Sequence, residues 1–298
     1  MSEESTSHTH DGIDWTTRLS AMRRADEIDA DVHHAIAERV VGLVGAGATL
    51  VDIGPGAGGM SAMLATALIK AGGGRVVLVD AVPELLEAAR SHVGLAVAGV
   101  PGIEVSAVQV DAASDALPDL VSGADLVWAS RVVHHLPDQQ QGIAGLVRVL
   151  APGGWLALSE GGLGIRCLPW DVGVGEPGLA DRLAAVHDAW FADMRAGMPG
   201  AVRMPYGWNT ALANAGLVDV SSSTYLTDRP APAPEVVRQS VADWLSWYAA
   251  MAGERLNQLD QIAVSRLLDP VDPAYVGARD DVFILRAATV HLGRKTAP

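Results

Sequence analysis

The segment 129–138 (sequence ASRVVHHLPD) carries the side chains whose chemistry is easiest to state. His134 and His135 are adjacent, and because imidazole titrates near neutral pH, either ring can serve as a general base. Glu160 follows a later apolar stretch and can orient one of the rings. The alternative is structural, with one histidine capping a turn and the other packing against a ligand. Base catalysis is therefore one of two predicted roles, and His134 is the slightly preferred base.

A glycine-rich turn at residues 54–59 (sequence GPGAGG) follows the apolar stretch that ends at Ile53. Glycine lets backbone N–H groups approach a ligand closely, and the predicted helix behind the turn adds the positive end of its dipole. The spacing G-x-G-x-x-G also satisfies the dinucleotide fingerprint. The turn alone therefore predicts a nucleotide-like ligand without choosing its kind.

Three acids, Asp52, Asp80 and Asp111, lie at the ends of three successive predicted strands. Because parallel strands end at one edge of a sheet, we expect the three carboxylates to share that edge. Asp80 can accept both ribose hydroxyls of a nucleoside, and Asp111 can accept from an adenine amine. Each acid alone is more typical of a turn or a helix cap. Together they favour an adenosine site beside the glycine turn.

Strand-like and helix-like segments alternate between residues 47 and 160. The segment 75–80 (RVVLVD) contains a continuous, largely β-branched run, which is typical of a strand covered on both faces. Strands are predicted at 49–53, 75–80, 103–110, 124–129 and 155–159, with helices at 58–70, 83–93 and 138–150. We therefore predict an α/β fold with a doubly wound, mostly parallel Rossmann-like sheet.

The rest of the chain surrounds that core in the predicted organisation. We predict an N-terminal helical cap at 1–45, an α/β core at 46–160 and a helical lid insertion at 161–206. Residues 207–298 are predicted to end the core sheet and to contain a second helical insertion at about 230–279. Additional strands at 217–226 and 281–290 bring the predicted sheet to seven strands.

Aromatic side chains make up only 5% of the chain, yet most of them fall in the later, inserted part. The residues concerned are Trp170, Trp190, Phe191, Trp208, Trp244, Trp247 and Tyr248. Such a group lines an apolar pocket for an aromatic or polyketide-like substrate, or it forms the core of a helical subdomain. The sequence favours neither interpretation.

Composition excludes several classes of protein. The 298-residue chain has a net charge of −14, so it repels phosphate backbones and we expect no nucleic-acid partner. The single cysteine, Cys167, cannot form an internal disulfide, a Cys-rich zinc site or a cysteine-ligated cluster, and we predict no metal. The acidic N-terminus resembles no signal peptide, and no stretch approaches the ~20 apolar residues of a membrane span. We therefore predict a cytoplasmic protein with no membrane partner.

Several of these stretches, taken in order, resemble the class I S-adenosylmethionine-dependent methyltransferases, particularly their small-molecule, natural-product branch. The matching segments are 51–58 (VDIGPGAG), 79–86 (VDAVPELL), 110–112 (VDA), 125–138 and 148–154 (RVLAPGG). The resemblance implies an antiparallel last strand and S-adenosyl-L-methionine as the cofactor. It also implies that Asp52 and the glycines hold the methionine half, Asp80 the ribose and Asp111 the adenine. The implied cofactor-binding set is Asp52, Gly54, Pro55, Gly56, Asp80, Ala81, Val82, Asp111, Ala112, Ser130 and Arg131.

The resemblance further implies methyl transfer to a small molecule, and the paired histidines with an acid after strand five are similar to those of some natural-product O-methyltransferases. We therefore predict O-methylation of a secondary metabolite, with His134, His135 and Glu160 as the catalytic set. N- or C-methylation, and a non-catalytic S-adenosylmethionine-binding protein of the same fold, stay open as alternatives. A hydride-transfer enzyme fits less well, because it leaves Asp111 and segment 134–138 unexplained. The expected partner is a small-molecule substrate, and a homodimer stays open.

Overall fold

The computed structural model of the protein describes residues 15–297. The first part of the predicted N-terminal cap, residues 1–14, lies outside the described residues. The strands are β1 (Ala48–Ile53), β2 (Gly74–Asp80), β3 (Ile103–Gln109), β4 (Ala124–Ser130), β5 (Leu150–Arg166), β6 (Val218–Arg229) and β7 (Ile284–Arg294). The helices are α1 (Trp15–Ile28), α2 (Ala30–Val41), α3 (Gly59–Lys70), α4 (Pro83–Ala96), α5 (Leu117–Leu120), α6 (Gln139–Val149), α7 (Leu179–Gly197), α8 (Trp208–Asn214), α9 (Glu235–Ala252) and α10 (Gln258–Leu268).

All seven strands form one sheet in the order β3-β2-β1-β4-β5-β7-β6. The neighbouring pairs from β3 to β5 are parallel. Strand β7 runs antiparallel to β5, because Lys295 bonds to Gly153 and Gly154 at the start of β5 while Phe283 N donates to the Cys167 carbonyl just after its end. The predicted seven-stranded, doubly wound α/β fold with an antiparallel last strand is therefore confirmed.

The central strand β1 explains why both faces of the sheet are covered. Alternate residues of a strand point to opposite faces. Leu50 packs into one buried cluster, with Leu64 and Leu68 of α3. Its neighbour Val51 packs into a second cluster, with Leu146 of α6. A strand buried on both faces must be largely apolar, and in β1 only Thr49 and Asp52 depart from an apolar run.

The chain divides into two compact units. The first contains the described part of residues 1–162 together with Met198–Tyr225 and the residues from Ala288 onward, and it holds β1 to β4 and α1 to α6. The second consists of Leu163–Gly197 and Leu226–Ala287, and it holds α7, α9 and α10.

The main departure from the predicted elements is the length of β5. The sequence predicts a strand at 155–159 followed by a glycine-rich loop, but the strand runs from Leu150 to Arg166. Gly161 and Gly162 have φ values of 72° and 112°, which ordinary strand residues do not adopt. Neighbouring β7, predicted at 281–290, lies at Ile284–Arg294 and supplies backbone partners. Glycine therefore marks an irregular strand here and not its end.

Candidate active site

Asp52 lies in the middle of the sheet, directly before the glycine turn. In the register of the parallel strands it stands between Leu78 of β2 and Trp128 of β4, and it is only 1% exposed. Its Oδ2 accepts a hydrogen bond of 2.5 Å from the Ser61 hydroxyl in the first turn of α3. Burial is the main reason why the pKa of Asp52 is raised to about 7; the hydrogen bond from Ser61 opposes the shift, and the nearby charges of Asp80 and Asp26 add to it. A buried carboxylate of this kind gains from a ligand that donates hydrogen bonds or carries positive charge.

Asp80 and Asp111 follow neighbouring strands, as the sequence predicts. Asp80 ends β2, where its Oδ1 accepts a 2.9 Å bond from Val82 N. Burial raises the pKa of Asp80 to about 6, and one smaller cause is the charge of Asp111. The two carboxylates are therefore close enough to interact. Asp111 Oδ1 accepts from Ala113 N at 2.7 Å, which is the turn role that the sequence left as the alternative.

The end of β4 turns sharply into the histidine segment. Ser130 is the last strand residue and pairs with Ser159 of β5. Arg131 follows with a φ of 56°, a left-handed conformation that is unfavourable for a residue with a side chain. Its N–H donates to the Ser159 carbonyl at 3.1 Å, which helps to hold it there. This turn directs residues 132–135 across the carboxyl edge of the sheet.

The histidine segment and the glycine turn touch each other through Val132 and Gly54. A Cβ atom at Gly54 would lie 2.5 Å from Val132 Cγ2, so position 54 has no room for a side chain. The φ of Gly54 is 67°, which also favours glycine. Two segments that are 78 residues apart in sequence are thus packed against each other. The structure brings the predicted cofactor turn and the predicted base segment into one site.

Glu160 is the anchor of the histidine segment. The side chain is 2% exposed, and its Oε1 accepts from the backbone N–H groups of Val132 at 3.1 Å and Val133 at 2.8 Å. Its other oxygen, Oε2, lies 2.6 Å from His134 Nδ1. Because a carboxylate only accepts, we assign the Nδ1 proton to His134 and the lone pair to its Nε2. This contact is the one expected if Glu160 orients the His134 ring, and the role of His134 as a base stays a prediction.

The ring of His135 lies against the ring of His134 in a tilted arrangement. The two ring centroids are 4.0 Å apart with an interplanar angle of 42°. Both histidines belong to the short 3-10 turn Val133–His135. The geometry thus distinguishes the two rings, because the carboxylate of Glu160 contacts His134.

Two polar residues of the site were missed by the sequence reasoning. His291 of β7 donates from Nε2 to the Glu160 carbonyl at 3.1 Å, and its Nδ1 lies 2.7 Å from Asn209 Oδ1. Asp26 of α1 accepts from Gly59 N at 3.1 Å, at the start of α3. Both contacts join elements that are far apart in sequence. No local sequence pattern identifies such distant partners, although the sequence does show His291 as a polar residue in the middle of β7.

Helix α1 lies against the glycine turn at a second point. A Cβ atom at Gly56 would lie 2.9 Å from Met22 Cε, so the Met22 side chain fills the space in front of this glycine. Met22 and Asp26 are four residues apart and therefore share one face of the helix. The predicted N-terminal helical cap thus contacts the turn predicted to hold the cofactor.

The aromatic residues singled out by the sequence lie in different places. Trp208 packs against the core of the first unit. Trp190, Phe191, Trp244 and Tyr248 form a set of neighbouring rings in the second unit, together with His187, which the sequence reasoning did not include. Trp170 is 71% exposed and belongs to neither group.

Among residues 15–297, no group of three or more His, Cys, Asp or Glu side chains could hold a metal ion. No helix of the same range is long and apolar enough to cross a membrane.

A methyltransferase-domain family matches residues 51–158, which span β1 to the centre of β5. A ubiquinone biosynthesis O-methyltransferase of Xanthomonas oryzae pv. oryzae is 35% identical over 118 residues, or 38% of this chain and 43% of that protein. A trans-aconitate 2-methyltransferase of Azoarcus sp. is 35% identical over 111 residues, or 37% of this chain and 38% of that protein. The chain therefore spans less than half the length of these curated relatives.

Among solved structures, a phosphoethanolamine N-methyltransferase 2 of Haemonchus contortus in complex with S-adenosyl-L-methionine is 15% identical. The match covers 89% of this chain and 52% of that chain, with a TM-score of 0.47. The domain match includes Asp52, the glycine turn, Asp80, Asp111 and the histidine segment. Residues 51–158 are therefore similar to a methyltransferase domain, in line with the resemblance of the sequence to the class I S-adenosylmethionine-dependent methyltransferases.

Proposed function

We propose that this chain transfers a methyl group from S-adenosylmethionine to a hydroxyl oxygen of a small molecule of the secondary-metabolite kind, with His134 as the general base. The observation that carries the proposal is the 2.6 Å contact between His134 Nδ1 and Glu160 Oε2. A hydroxyl is a poor nucleophile until its proton is removed, whereas a neutral amine needs no base. An oriented imidazole therefore favours oxygen as the acceptor atom.

The residues at the edge of the first unit fit the cofactor. Asp52 is a buried acid with a raised pKa, so it gains from an ammonium group such as that of the methionine half. Asp80 is a second acid of the same kind at the end of β2, where a ribose is expected in a fold of this type. When bound, S-adenosylmethionine supplies an electrophilic methyl group.

The remaining chemistry is assigned to this chain's own side chains. Glu160 holds the Nδ1 proton of His134, which leaves the Nε2 lone pair to take the proton of the acceptor hydroxyl as the new C–O bond forms. The backbone bonds from Val132 and Val133 fix the Glu160 carboxylate, so the pair is positioned before any substrate arrives. In-line methyl transfer otherwise depends on alignment and exclusion of water.

The names of the two relatives described above indicate small-molecule substrates, and this supports the same class of methyl acceptor for this chain.

The experiment that tests the proposed function has two stages. Calorimetry first measures binding of S-adenosylmethionine and of its demethylated product to the full chain. A library of phenols, hydroxy acids and amines is then incubated with the enzyme, and mass spectrometry detects the gain of one CH2 unit.

The variants His134→Ala and His135→Ala distinguish the catalytic roles of the two histidine rings. His134→Ala should lower kcat about 100-fold or more while cofactor affinity stays the same, because general bases contribute on that scale. His34→Ala removes an exposed histidine of α2 and is the matched control. Full activity of His134→Ala would contradict the base role. Methylation of amines alone would favour N-methylation, and cofactor binding with no product in any reaction would favour the non-catalytic alternative.

A further inference from the structure

The main chain of Glu160 is held from the neighbouring strand β7. His291 lies in that strand, and Nε2 of its ring is 3.1 Å from the Glu160 carbonyl oxygen. Because a carbonyl oxygen can only accept, Nε2 carries a proton and donates it. The side chain of Glu160 contacts the ring of His134 at the same time. One histidine therefore contacts each end of Glu160.

The ring of His291 is also held on its other side. Its Nδ1 lies 2.7 Å from the side-chain oxygen of Asn209, a residue of α8. Rotation of that amide exchanges its oxygen and its NH2 group, and a ring with its only proton on Nε2 selects the NH2 group. Burial lowers the pKa of His291, although the hydrogen bond and the charge of Glu160 oppose the shift. At neutral pH an uncharged ring therefore connects β5, β7 and α8.

The strand next to Glu160 has little stiffness of its own. Gly161 and Gly162 follow directly, with φ values of 72° and 112°, and glycine changes between positive and negative φ at little cost. Irregular strand positions of this kind re-aim a side chain, often beside an active site. Without a bond to the Glu160 carbonyl, this part of β5 could take other paths, and the Glu160 carboxylate would move with it.

The contact that depends on this path is sensitive to small movements. Glu160 Oε2 lies 2.6 Å from His134 Nδ1. A shift of about 1 Å would separate the two atoms beyond the usual range of hydrogen-bond distances, and misplacements of that size lower reaction rates strongly. From the side of β4, Arg131 N donates to the Ser159 carbonyl at 3.1 Å. From the side of β7, His291 holds the Glu160 carbonyl.

We propose that His291 is a positioning residue for methyl transfer, because its bond to the Glu160 carbonyl keeps the Glu160 carboxylate on His134 Nδ1 and thereby keeps the His134 lone pair on Nε2. The consequence for the reaction rests on the proposed function, in which that lone pair takes the substrate proton. The effect on the His134 tautomer does not rest on it. All the residues concerned belong to the first unit.

NMR spectroscopy of the full chain without cofactor tests this inference. With isotope-labelled histidine, long-range proton–nitrogen spectra show which ring nitrogen carries the proton, and at about pH 8.5 an ordinary imidazole is neutral. The signals of the His134 ring are identified by their loss in His134→Ala. In the wild-type chain the proton should be on Nδ1 of His134.

Two amide variants of His291 differ by one methylene group. The side chain in His291→Gln places an N–H donor near the position of Nε2, so His134 should keep its proton on Nδ1. The side chain in His291→Asn ends near the position of Nδ1, from which it reaches Asn209 but not the Glu160 carbonyl. The ratio of the two His134 tautomers should then change about fivefold or more toward the Nε2 proton, which is the scale of one hydrogen bond.

The same two variants are compared in steady-state kinetics with a methyl acceptor from the substrate library. In His291→Asn, kcat should fall about 10- to 100-fold while the dissociation constant of S-adenosylmethionine changes less than about threefold. His291→Gln should retain the wild-type kcat.

Thr289→Val is the matched control. Thr289 lies two residues from His291 and therefore on the same face of β7. Its hydroxyl oxygen is 3.0 Å from that of Thr224 in β6, so the variant removes a side-chain bond that leads away from β5. It should change neither the His134 tautomer nor kcat.

The proposal is overturned if His134 in the wild-type chain carries its proton on Nε2, or if folded His291→Asn keeps the wild-type ratio of tautomers. Loss of the wild-type tautomer in His291→Gln would overturn it as well. If circular dichroism shows that His291→Asn does not fold, the spectrum of His291→Gln decides.

These outcomes are distinct from those that test the proposed function. The predicted change of tautomer in His291→Asn supports the positioning role even when no product is methylated. Methyl transfer to a hydroxyl with the same kcat and the same His134 tautomer in His291→Asn supports the proposed function and overturns the positioning role.

Discussion

Asp52 and Ser61 are joined by a hydrogen bond of 2.5 Å that links the central strand β1 to the first turn of α3. The glycine turn therefore lies between a buried acid at the end of β1 and the N-terminus of α3, which is the positive end of the helix dipole. The hydroxyl of Ser61 favours the ionised carboxylate, but burial has the larger effect and raises the pKa of Asp52 to about 7. The protonation of Asp52 therefore changes within the physiological range of pH.

Cofactor affinity should rise with pH, because a ligand with an ammonium group selects the ionised form of Asp52. We expect the affinity for S-adenosylmethionine to increase between pH 5.5 and pH 7.5, with proton release on binding, as measured by calorimetry in buffers of different ionisation enthalpy. Ser61→Ala removes a bond that lowers the pKa of Asp52. In the Ser61→Ala variant, the rise in affinity for S-adenosylmethionine should therefore occur at higher pH than in the wild type. A dissociation constant that is the same from pH 5.5 to 8 would contradict this mechanism.

The stability of the ligand-free chain should show the opposite trend. The carboxyl of Asp52 has its ordinary pKa near 3.8 when unfolded and about 7 when folded, so the folded state holds the proton over that window. The contribution of Asp52 to the free energy of unfolding is fully present below pH 4 and is lost as the pH rises toward 7. The total loss is on the order of 1–4 kcal/mol, and no further loss is expected above pH 7. Asp80 acts in the same direction up to about pH 6. Urea unfolding at pH 5 and pH 8 measures the difference, and Asp52→Asn should reduce it.

Gly54→Ala should be costly for two separable reasons. The left-handed backbone, with a φ of 67°, costs about 1–2 kcal/mol for any side chain, and the new Cβ would overlap Val132 Cγ2. Gly47→Ala is a suitable control, since its φ is 76° and a Cβ there meets nothing within 4 Å. Urea unfolding should show a larger loss at position 54 than at 47.

The double variant Gly54→Ala/Val132→Ala isolates the steric part of that loss. Removing the Val132 methyl groups should recover the excess over Gly47→Ala but leave the backbone cost. If Gly54→Ala and Gly47→Ala lose the same stability, the contact between the two segments is not a steric constraint.

The sequence predicted the elements whose signals are local. Strands β1, β2 and β4 are largely apolar segments and β3 alternates apolar with polar residues, and the predicted bounds of all four agree with the structure to within one or two residues. The acids Asp52 and Asp80 could be placed from strand ends alone. The far part of β5 could not be predicted, because its glycine-rich sequence resembles a loop and only its pairing with β7 makes it a strand.

The sequence predicts His134 over His135 as the base by only a slight margin. Which ring the Glu160 carboxylate meets depends on the left-handed turn at Arg131 and on the register of β4 with β5. Asp26 and His291 were missed for the same reason, since each acts across the fold on a distant backbone atom. Local sequence patterns identify which residues lie at the edge of the sheet. Which atoms these residues contact depends on tertiary packing.

Asp26→Ala should loosen α1 from the glycine turn. The Asp26 carboxylate accepts from Gly59 N at the start of α3, and loss of an acceptor at a helix N-terminus typically costs about 1 kcal/mol. Asp26→Asn keeps an acceptor oxygen and should lose less than half as much. Hydrogen exchange of residues 18–28 should accelerate in the alanine variant. Glu27→Ala changes the exposed neighbouring acid and is the control, and equal effects of Asp26→Ala and Glu27→Ala would contradict the assignment.

Glu160→Gln tests the tautomer of His134 with almost no change in shape. The Gln carbonyl oxygen can still accept from Val132 and Val133, which leaves its NH2 group facing His134 Nδ1. That group donates, so the ring proton must move to Nε2, where it blocks the lone pair needed to accept the substrate proton. We expect kcat to fall about 10²–10⁴-fold while the dissociation constant of S-adenosylmethionine changes less than about threefold. Steady-state kinetics and calorimetry measure the two quantities. Equal losses in kcat and in cofactor affinity would instead mean that Glu160 serves the structure of the site and not the orientation of a base.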